Sequence, residues 1–483
     1  MTFDLAPFVE RRRRFAEAIG DAIAIIPGAR EVARNGDTNF EFRQDSDFYF
    51  LTGFDEPDAV AVINPAHAKE RFVLFVRPRD REMETWNGRR AGVEGAIATY
   101  GADAAYTVDE LDAKLHEHAV DRPALVYRLG NPHHDGRVTR LLAEMRTVRT
   151  RGFVTPTRVD DPGPILHDLR LRRRPEELAR QRRACEISRD AHREAMRFAR
   201  PGRYEYEVQA VLEFVFRQGG SPRNAYPSIV ASGPNACILH YTENTRRMED
   251  GDLLLIDAGC EWGYQAADIT RTCPVNGRFT PPQRRIYEAV LRAQLAGIGA
   301  ARPGNRYEAV HDAARRALVE GLVALGLLPR GVEESLAMHH YREFFMHGTG
   351  HWIGMDVHDV GDYRVLRQSR VLEPGMVLTV EPGLYFDPAR EAVEFRLREY
   401  SEEEIWERRA RLGMAAAKKL EEEEKARAET VVHPVPVEYR GIGVRIEDDV
   451  LITDGGCEVL TAGTPKTVDE VERACAEPPR LTW

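Results

Sequence analysis

Residues 253–272 read LLLIDAGCEWGYQAADITRT, and the placement of their two aspartates decides the fold of the second half of the chain. An apolar run ends on Asp257. A turn-prone stretch follows, and Asp268 opens a second strand-like run eleven residues later. A hairpin would bring the two carboxylates together. Close carboxylates repel and resist full ionisation unless positive charge lies between them. A hard divalent cation is the simplest solution. An aspartate capping a turn, as in "DAG", explains Asp257 equally well, so the pair alone does not decide the chemistry.

Three further stretches add to it. Residues 344–361, FFMHGTGHWIGMDVHDVG, place His347, His351 and His358 among glycines. Histidine supplies metal ligands and moves protons near neutral pH, and glycine lets backbone approach a ligand closely. In VLTVEPGLYF (377–386), Glu381 follows an apolar strand and precedes a Pro-Gly turn, facing a cleft. In GIGVRIEDDVLIT (441–453), Arg445 and Glu447 alternate with Val444 and Ile446, which puts them on one strand face; an ion pair between the two is the alternative, purely structural explanation of Glu447. His240, in ILHYTENT (238–245), is unremarkable alone. Together these give four carboxylates and an imidazole, a donor set that neutralises two divalent ions. It suits Mn²⁺, Co²⁺, Fe²⁺ or Zn²⁺. Two such ions about 3.5–4 Å apart activate water for hydrolysis.

Around these motifs the chain divides in two. The first third alternates strand-like runs (AIAII, FYFLTGF, AVAVINP, RFVLFVRP) with helical ones (VDELDAKLHEHA, RVTRLLAEMR), which predicts an α/β domain over 1–165. The loop TPTRVDDPGPI ends it. An α+β domain is expected over 166–483. Its first helix starts at Pro175 and ends by Gly202, a second runs up to Gly219–Gly220, and two more occupy about 281–301 and 306–326. A charge-dense segment, about 388–430, reads as a solvated helical insertion. Ser401 and Glu404 fit a capping box, and Ile405, Leu412, Ala416 and Leu420 suggest a narrow apolar stripe.

Composition sets outer bounds. The 483 residues carry a formal charge of −10, which speaks against a nucleic-acid surface. No apolar run is long enough to span a membrane, and the run after Arg11–Arg14 is too short for a convincing signal peptide; a cytoplasmic location is the default expectation. The six cysteines form no C-x-x-C pair and read as reduced core thiols.

In CILHYTEN, LIDAGCE, DITRT, HGTGHWIGMDVHDVG, LEPGMVLTVEPGLY and RGIGVRIEDDVLIT the sequence resembles aminopeptidase P, of the proline-peptidase branch of the pita-bread metallopeptidases. EFRQDSDFYFLTGFDEP and ETWNGRR look like that family's N-terminal domain. The resemblance implies a pita-bread catalytic domain and removal of an N-terminal residue that precedes proline. It implies that Asp257 chelates one ion, that Asp268 and Glu447 bridge both, and that His351 and Glu381 hold the other, with Mn²⁺ the leading expectation. It places His240, His347, His358 and Arg445 as catalytic groups and Tyr385 and Trp86 as substrate contacts, Trp86 across a subunit boundary of a dimer or tetramer. A prolidase restricted to Xaa-Pro dipeptides shares all five ligands. A metal-free binding relative would lack several. An Arg that pairs with a free carboxylate would favour the dipeptidase, and Arg364, Arg367 and Arg370 are positioned in sequence to supply one.

Overall fold

The computed structural model describes residues 4–398 and 401–480. The chain separates into two units, Met1–Arg170 and Leu171–Trp483.

The first unit is built on a six-stranded sheet in the order Ala104–Thr107, Phe72–Val76, Val60–Ile63, Ile23–Pro27, Leu125–Val126, Val159–Asp160. Val60–Ile63 runs antiparallel to both of its neighbours, and the remaining pairs are parallel. Helices Leu111–Ala119 and Asp135–Arg149 bury Leu115, Leu141 and Met145 against it. One expectation fails here. FYFLTGF is not a strand: Ser46–Thr52 is helical. The Asp45 carboxylate accepts the Phe48 N–H at 2.9 Å, and Gly53, at φ 67°, supplies the left-handed stop. These caps override the strand preference of aromatic residues, because both faces of the short helix are buried.

In the second unit Leu253–Asp257 pairs antiparallel with Ile229–Ser232 on one side and Thr270–Pro274 on the other. The connection between Asp257 and Asp268 is a smaller hairpin, Cys260–Trp262 with Gln265–Ala266. Gly259 makes this possible, since a Cβ there would lie 1.7 Å from the Ala267 carbonyl oxygen. Val377–Val380 pairs with Asp448–Thr453, and Gly383–Tyr385 with Gly443–Arg445. Helices Pro175–Phe198, Glu205–Gln218, Pro281–Ala300 and Tyr307–Ala324 cover the sheets and build the main core. Pro175 holds the first turn of its helix as expected. The helix stops at Phe198, before Gly202, because Pro201 disfavours helical backbone at Arg200.

The charged insertion is a helical hairpin, Glu402–Leu412 and Met414–Arg427, flanked by the paired strands Ala392–Arg396 and Thr430–Pro434. Ser401 Oγ caps it by accepting the Glu404 N–H. The expected apolar stripe does not form: Leu412 and Leu420 are 50% and 40% exposed, and Ala417 is buried instead. Arg408–Glu424 at 3.0 Å and Arg409–Glu421 at 2.9 Å clasp the two helices. Surface pairs of this kind contribute about 0–1 kcal/mol each. Replacing 401–427 by a short linker is therefore expected to shift the unfolding midpoint by no more than about 4 °C. A thermal melt checks this, and loss of cooperative unfolding would refute it.

Candidate metal centre

Asp257 is the last residue of its strand, paired in register with Thr270, and Asp268 lies just before the strand that Thr270 opens. The Tyr226 hydroxyl bonds Asp257 Oδ1 at 2.6 Å and also contacts Asp268 Oδ1. Glu381 stands in the turn between Val377–Val380 and Gly383–Tyr385, its N–H donating to the Thr349 carbonyl at 2.7 Å. Glu447 occupies the corresponding break between Gly443–Arg445 and Asp448–Thr453. Strand ends thus deliver all four carboxylates to one place. His351 comes from the glycine-rich loop, with Nε2 3.4 Å from Asp268 Oδ2 and 3.8 Å from Glu381 Oε1. Its Nδ1 lies 3.1 Å from the Trp352 carbonyl, which fixes a proton on Nδ1 and turns Nε2 toward the carboxylates.

Arg445 does not pair with Glu447. The strand breaks between them, and Arg445 reaches Asp257 Oδ2 at 2.6 Å, the Tyr385 hydroxyl at 2.9 Å and Thr270 Oγ1 at 3.1 Å. Thr270 Oγ1 donates in turn to Glu447 Oε2 at 2.6 Å. Tyr385 links onward to His347 Nε2 at 2.9 Å, and His347 Nδ1 faces the Gly348 carbonyl at 2.8 Å. The proton order follows: Arg445 donates to Tyr385, Tyr385 to His347, and His347 to Gly348. His358 is exposed, its ring centre 4.2 Å from that of His351. His240 is exposed on the loop after the turn Gly233–Cys237, close enough for its field to act on His347 and His358. Trp86 belongs to the first unit, on helix Arg81–Asn87, and is 79% exposed.

Crowding distorts the acid–base behaviour of these groups. Burial raises Glu381 to about 7, with Asp268 and Asp257 adding to the shift against His351 and Arg445. Burial likewise raises Glu447 and Asp268. Burial opposes charge on His351, but Asp268 and Glu381 prevail and raise it to about 9. Burial and the Arg445 charge push His347 down to about 3. Donor atoms of Asp268, His351 and Glu447 lie within 4.8 Å of one another. Four buried or half-buried carboxylates with one guanidinium among them carry negative charge that bound protons or further cations must offset. Their oxygen and nitrogen donors fit two divalent ions.

A second His–Glu–His group lies in the first unit, at His67, Glu70 and His118. It reads as a closed network. His67 Nδ1 takes the Glu70 N–H at 2.8 Å, so its proton sits on Nε2, and His118 Nε2 already faces Glu70 Oε2 at 3.1 Å.

Sequence reading missed Tyr226 and Thr270. Tyr226 lies in "NAYPSIV", where one tyrosine before a strand carries no mark of function, and Thr270 lies inside a strand where threonine is ordinary.

Comparison with known proteins gives a consistent picture. Residues 179–454 match the model of metallopeptidase family M24, and residues 8–127 match the aminopeptidase P N-terminal domain. The chain is 41% identical to Xaa-Pro aminopeptidase of Escherichia coli K12 over 469 residues, 96% of each chain. Its fold is similar to that of Pseudomonas aeruginosa aminopeptidase PepP, with TM-score 0.88 and 43% identity over 99% of both chains. It is also similar to Zn-substituted E. coli aminopeptidase P in complex with product, with TM-score 0.86 and 40% identity over 98% of this chain and 99% of that one.

Two outcomes follow from the electrostatics. Glu381 is raised from 4.5 to about 7, so its contribution to stability is full below 4.5 and is lost as pH rises through about 7. His351, raised from 6.5 to about 9, acts in the same direction over a higher range. The metal-free protein should therefore melt at lower temperature as pH rises from about 7 to 9, above the range in which the depressed His347, His192 and His134 add stability with rising pH, and saturating Mn²⁺ should remove the decline while releasing protons on binding. Melting curves at several pH values and calorimetry in two buffers measure both effects; a metal-free protein that gains stability over this range would contradict the assignment. In addition, Tyr226→Phe, which removes the single hydroxyl that Asp257 Oδ1 and Asp268 Oδ1 share, should weaken metal binding by about 10–100-fold in a chelator competition. Unchanged affinity would remove Tyr226 from the centre.

Proposed function

This chain belongs to metallopeptidase family M24, and from that premise we propose that it is an Xaa-Pro aminopeptidase, releasing the N-terminal residue of peptides with proline in second position. One observation carries the reading: four carboxylates from strand ends and an imidazole from the glycine-rich loop converge on one cluster with the donor chemistry of a dinuclear site.

In this reading Asp257, Asp268, His351, Glu381 and Glu447 would together hold two divalent ions. The ions supply Lewis-acid polarisation of the scissile carbonyl and a lowered water pKa when bound. The protein's own groups do the rest. The carboxylates attract the α-ammonium of the substrate. Arg445, locked between Asp257 and Tyr385, presents a fixed positive charge to developing oxyanion character. His347, held neutral with its Nδ1 proton on Gly348, keeps Tyr385 oriented and can relay a proton through Nε2. His240 and His358, exposed at the rim, stabilise the tetrahedral species and serve the leaving proline nitrogen. An X-Pro bond is a tertiary amide without N–H, so a site that grips its substrate by the amine rather than by strand pairing accepts it.

We assign Mn²⁺ as the working metal, a cytoplasmic location, a dimer or tetramer in which Trp86 reaches a neighbouring site, and an aminopeptidase P-like domain over 1–165 preceding the catalytic domain over 166–483. Among the described residues no helix is long and apolar enough to cross a membrane.

The reading is tested in two ways. Asp268→Ala and Glu447→Ala should lose metal and activity together, whereas His240→Ala and His358→Ala should keep their metal and slow by about 10²–10⁴-fold; metal retained with near-normal rates in the first pair would sink the ligand set. A panel of one Xaa-Pro dipeptide with its tripeptide and pentapeptide extensions should show turnover of the longer peptides. Turnover of the dipeptide alone would make the protein a prolidase with the same centre.

A further inference from the structure

Arg173 and Asp359 form an ion pair buried in the second unit. Arg173 lies two residues before the helix Pro175–Phe198, and Asp359 follows His358 in sequence. Their side chains are 1% and 0% exposed, and Arg173 Nη2 makes the contact. The same Nη2 donates to the Ile353 carbonyl at 2.9 Å. One nitrogen therefore closes the loop 353–359 at both ends, just past His351 and just past His358. The Asp359 N–H closes it a second time, on the Trp352 carbonyl at 2.8 Å. Glycine at 354 leaves room for the arginine, since a Cβ there would collide with Nη2.

The clamp also reaches the segments that carry other candidate ligands. The Arg173 N–H donates to the Gly375 carbonyl at 2.8 Å, in the turn before Val377–Val380, the strand that leads to Glu381. The Gly354 carbonyl accepts the Ala266 N–H at 2.7 Å, two residues before Asp268.

We infer that Arg173 is a positioning residue of the metal centre: clamped on Asp359, it sets where His351 and His358 stand relative to the carboxylates. The inference rests on the metal-centre reading above. Gly348, Gly350 and Gly354 leave the histidine loop few side chains of its own to restrict its backbone. A buried ion pair adds little net stability, because desolvation offsets the attraction. What this one supplies is a fixed geometry for that loop. Nε and Nη1 of Arg173 have no hydrogen-bond partner among the described residues, so a single nitrogen makes every side-chain bond. The planar fork of arginine is not used. A lysine ammonium, with three N–H donors, can make the same two bonds.

The test separates clamping from stability. Arg173→Met strands the Asp359 charge in the interior, so the metal-free protein should melt at lower temperature. Its affinity for Mn²⁺ in a chelator competition should fall by about 10–100-fold, as for the loss of a group that orients a ligand. Adding Asp359→Asn removes the stranded charge. The double variant should regain most of the melting temperature while its Mn²⁺ affinity stays about ten-fold or more below the parent's. Arg173→Lys should bind Mn²⁺ at least about ten-fold more tightly than Arg173→Met. Should Arg173→Met fail to fold, the double variant and Arg173→Lys are compared with the parent alone. A double variant in which stability and affinity move together, both recovered or both lost, gives Arg173 a purely structural role and overturns the inference. Parent-like affinity in Arg173→Met, or no rescue by lysine, overturns it as well, and each of these leaves the ligand set intact. A parent chain that binds no Mn²⁺ overturns the ligand set and the inference with it.

Discussion

Everything about the second unit turns on the repulsion among Asp257, Asp268, Glu381 and Glu447. Two unit charges 4 Å apart at an effective dielectric constant near 20 repel by about 4 kcal/mol, and here four such groups share one cleft. Arg445 relieves one of them, through Asp257. Protons relieve others in the metal-free protein, which is the meaning of the raised Glu381, Glu447 and Asp268. Divalent ions relieve all of them, and because they bind the folded arrangement they stabilise it by mass action. Affinity for metal and tolerance of a strained cluster are thus one property.

The scaffold manages this crowding with neutral groups. Thr270 hands a hydroxyl proton to Glu447 while accepting from Arg445, and the one hydroxyl of Tyr226 lies between the oxygens of the aspartate pair. Each fixes an oxygen's direction without adding charge, so the remaining lone pairs converge. Close backbone approach does the coarse positioning. A Cβ on Gly350 would lie 1.9 Å from the Thr379 carbonyl oxygen, so only glycine lets the His351 loop press against the strand that leads to Glu381.

How much of this is legible in the sequence depends on the range of the interaction. Asp257, Asp268, Glu381 and Glu447 stand out as candidate ligands because each is a carboxylate at the end of a strand-like run, and His351 because it lies among glycines. Arg445 was visible, but its partner was not: strand alternation assigns it to Glu447, whereas a break in the strand at Ile446 turns it toward Asp257. Tyr226 and Thr270 are ordinary residues made special by tertiary neighbours. FYFLTGF misleads because aromatic residues favour strands, and only the caps at Asp45 and Gly53 reveal a buried helix. The insertion's helices were readable from their charge and Ser401, but its apolar spacing was incidental, since ion pairs across the hairpin hold it.

That insertion leaves the chemistry untouched for a topological reason. It departs from Arg396 and returns at Thr430, which face each other across a five-residue antiparallel pairing. The strands that carry the candidate ligands are therefore insulated from whatever the hairpin does. Its influence must run through the surface. The hairpin walls a cavity of about 270 Å³ together with Arg396 and Glu343, and Glu343 also lines the larger cavity that reaches Tyr385. The cluster itself stays as it is, because the four carboxylates stand at strand ends and His351 on its loop, all outside the stretch that the pairing of Ala392–Arg396 with Thr430–Pro434 closes off.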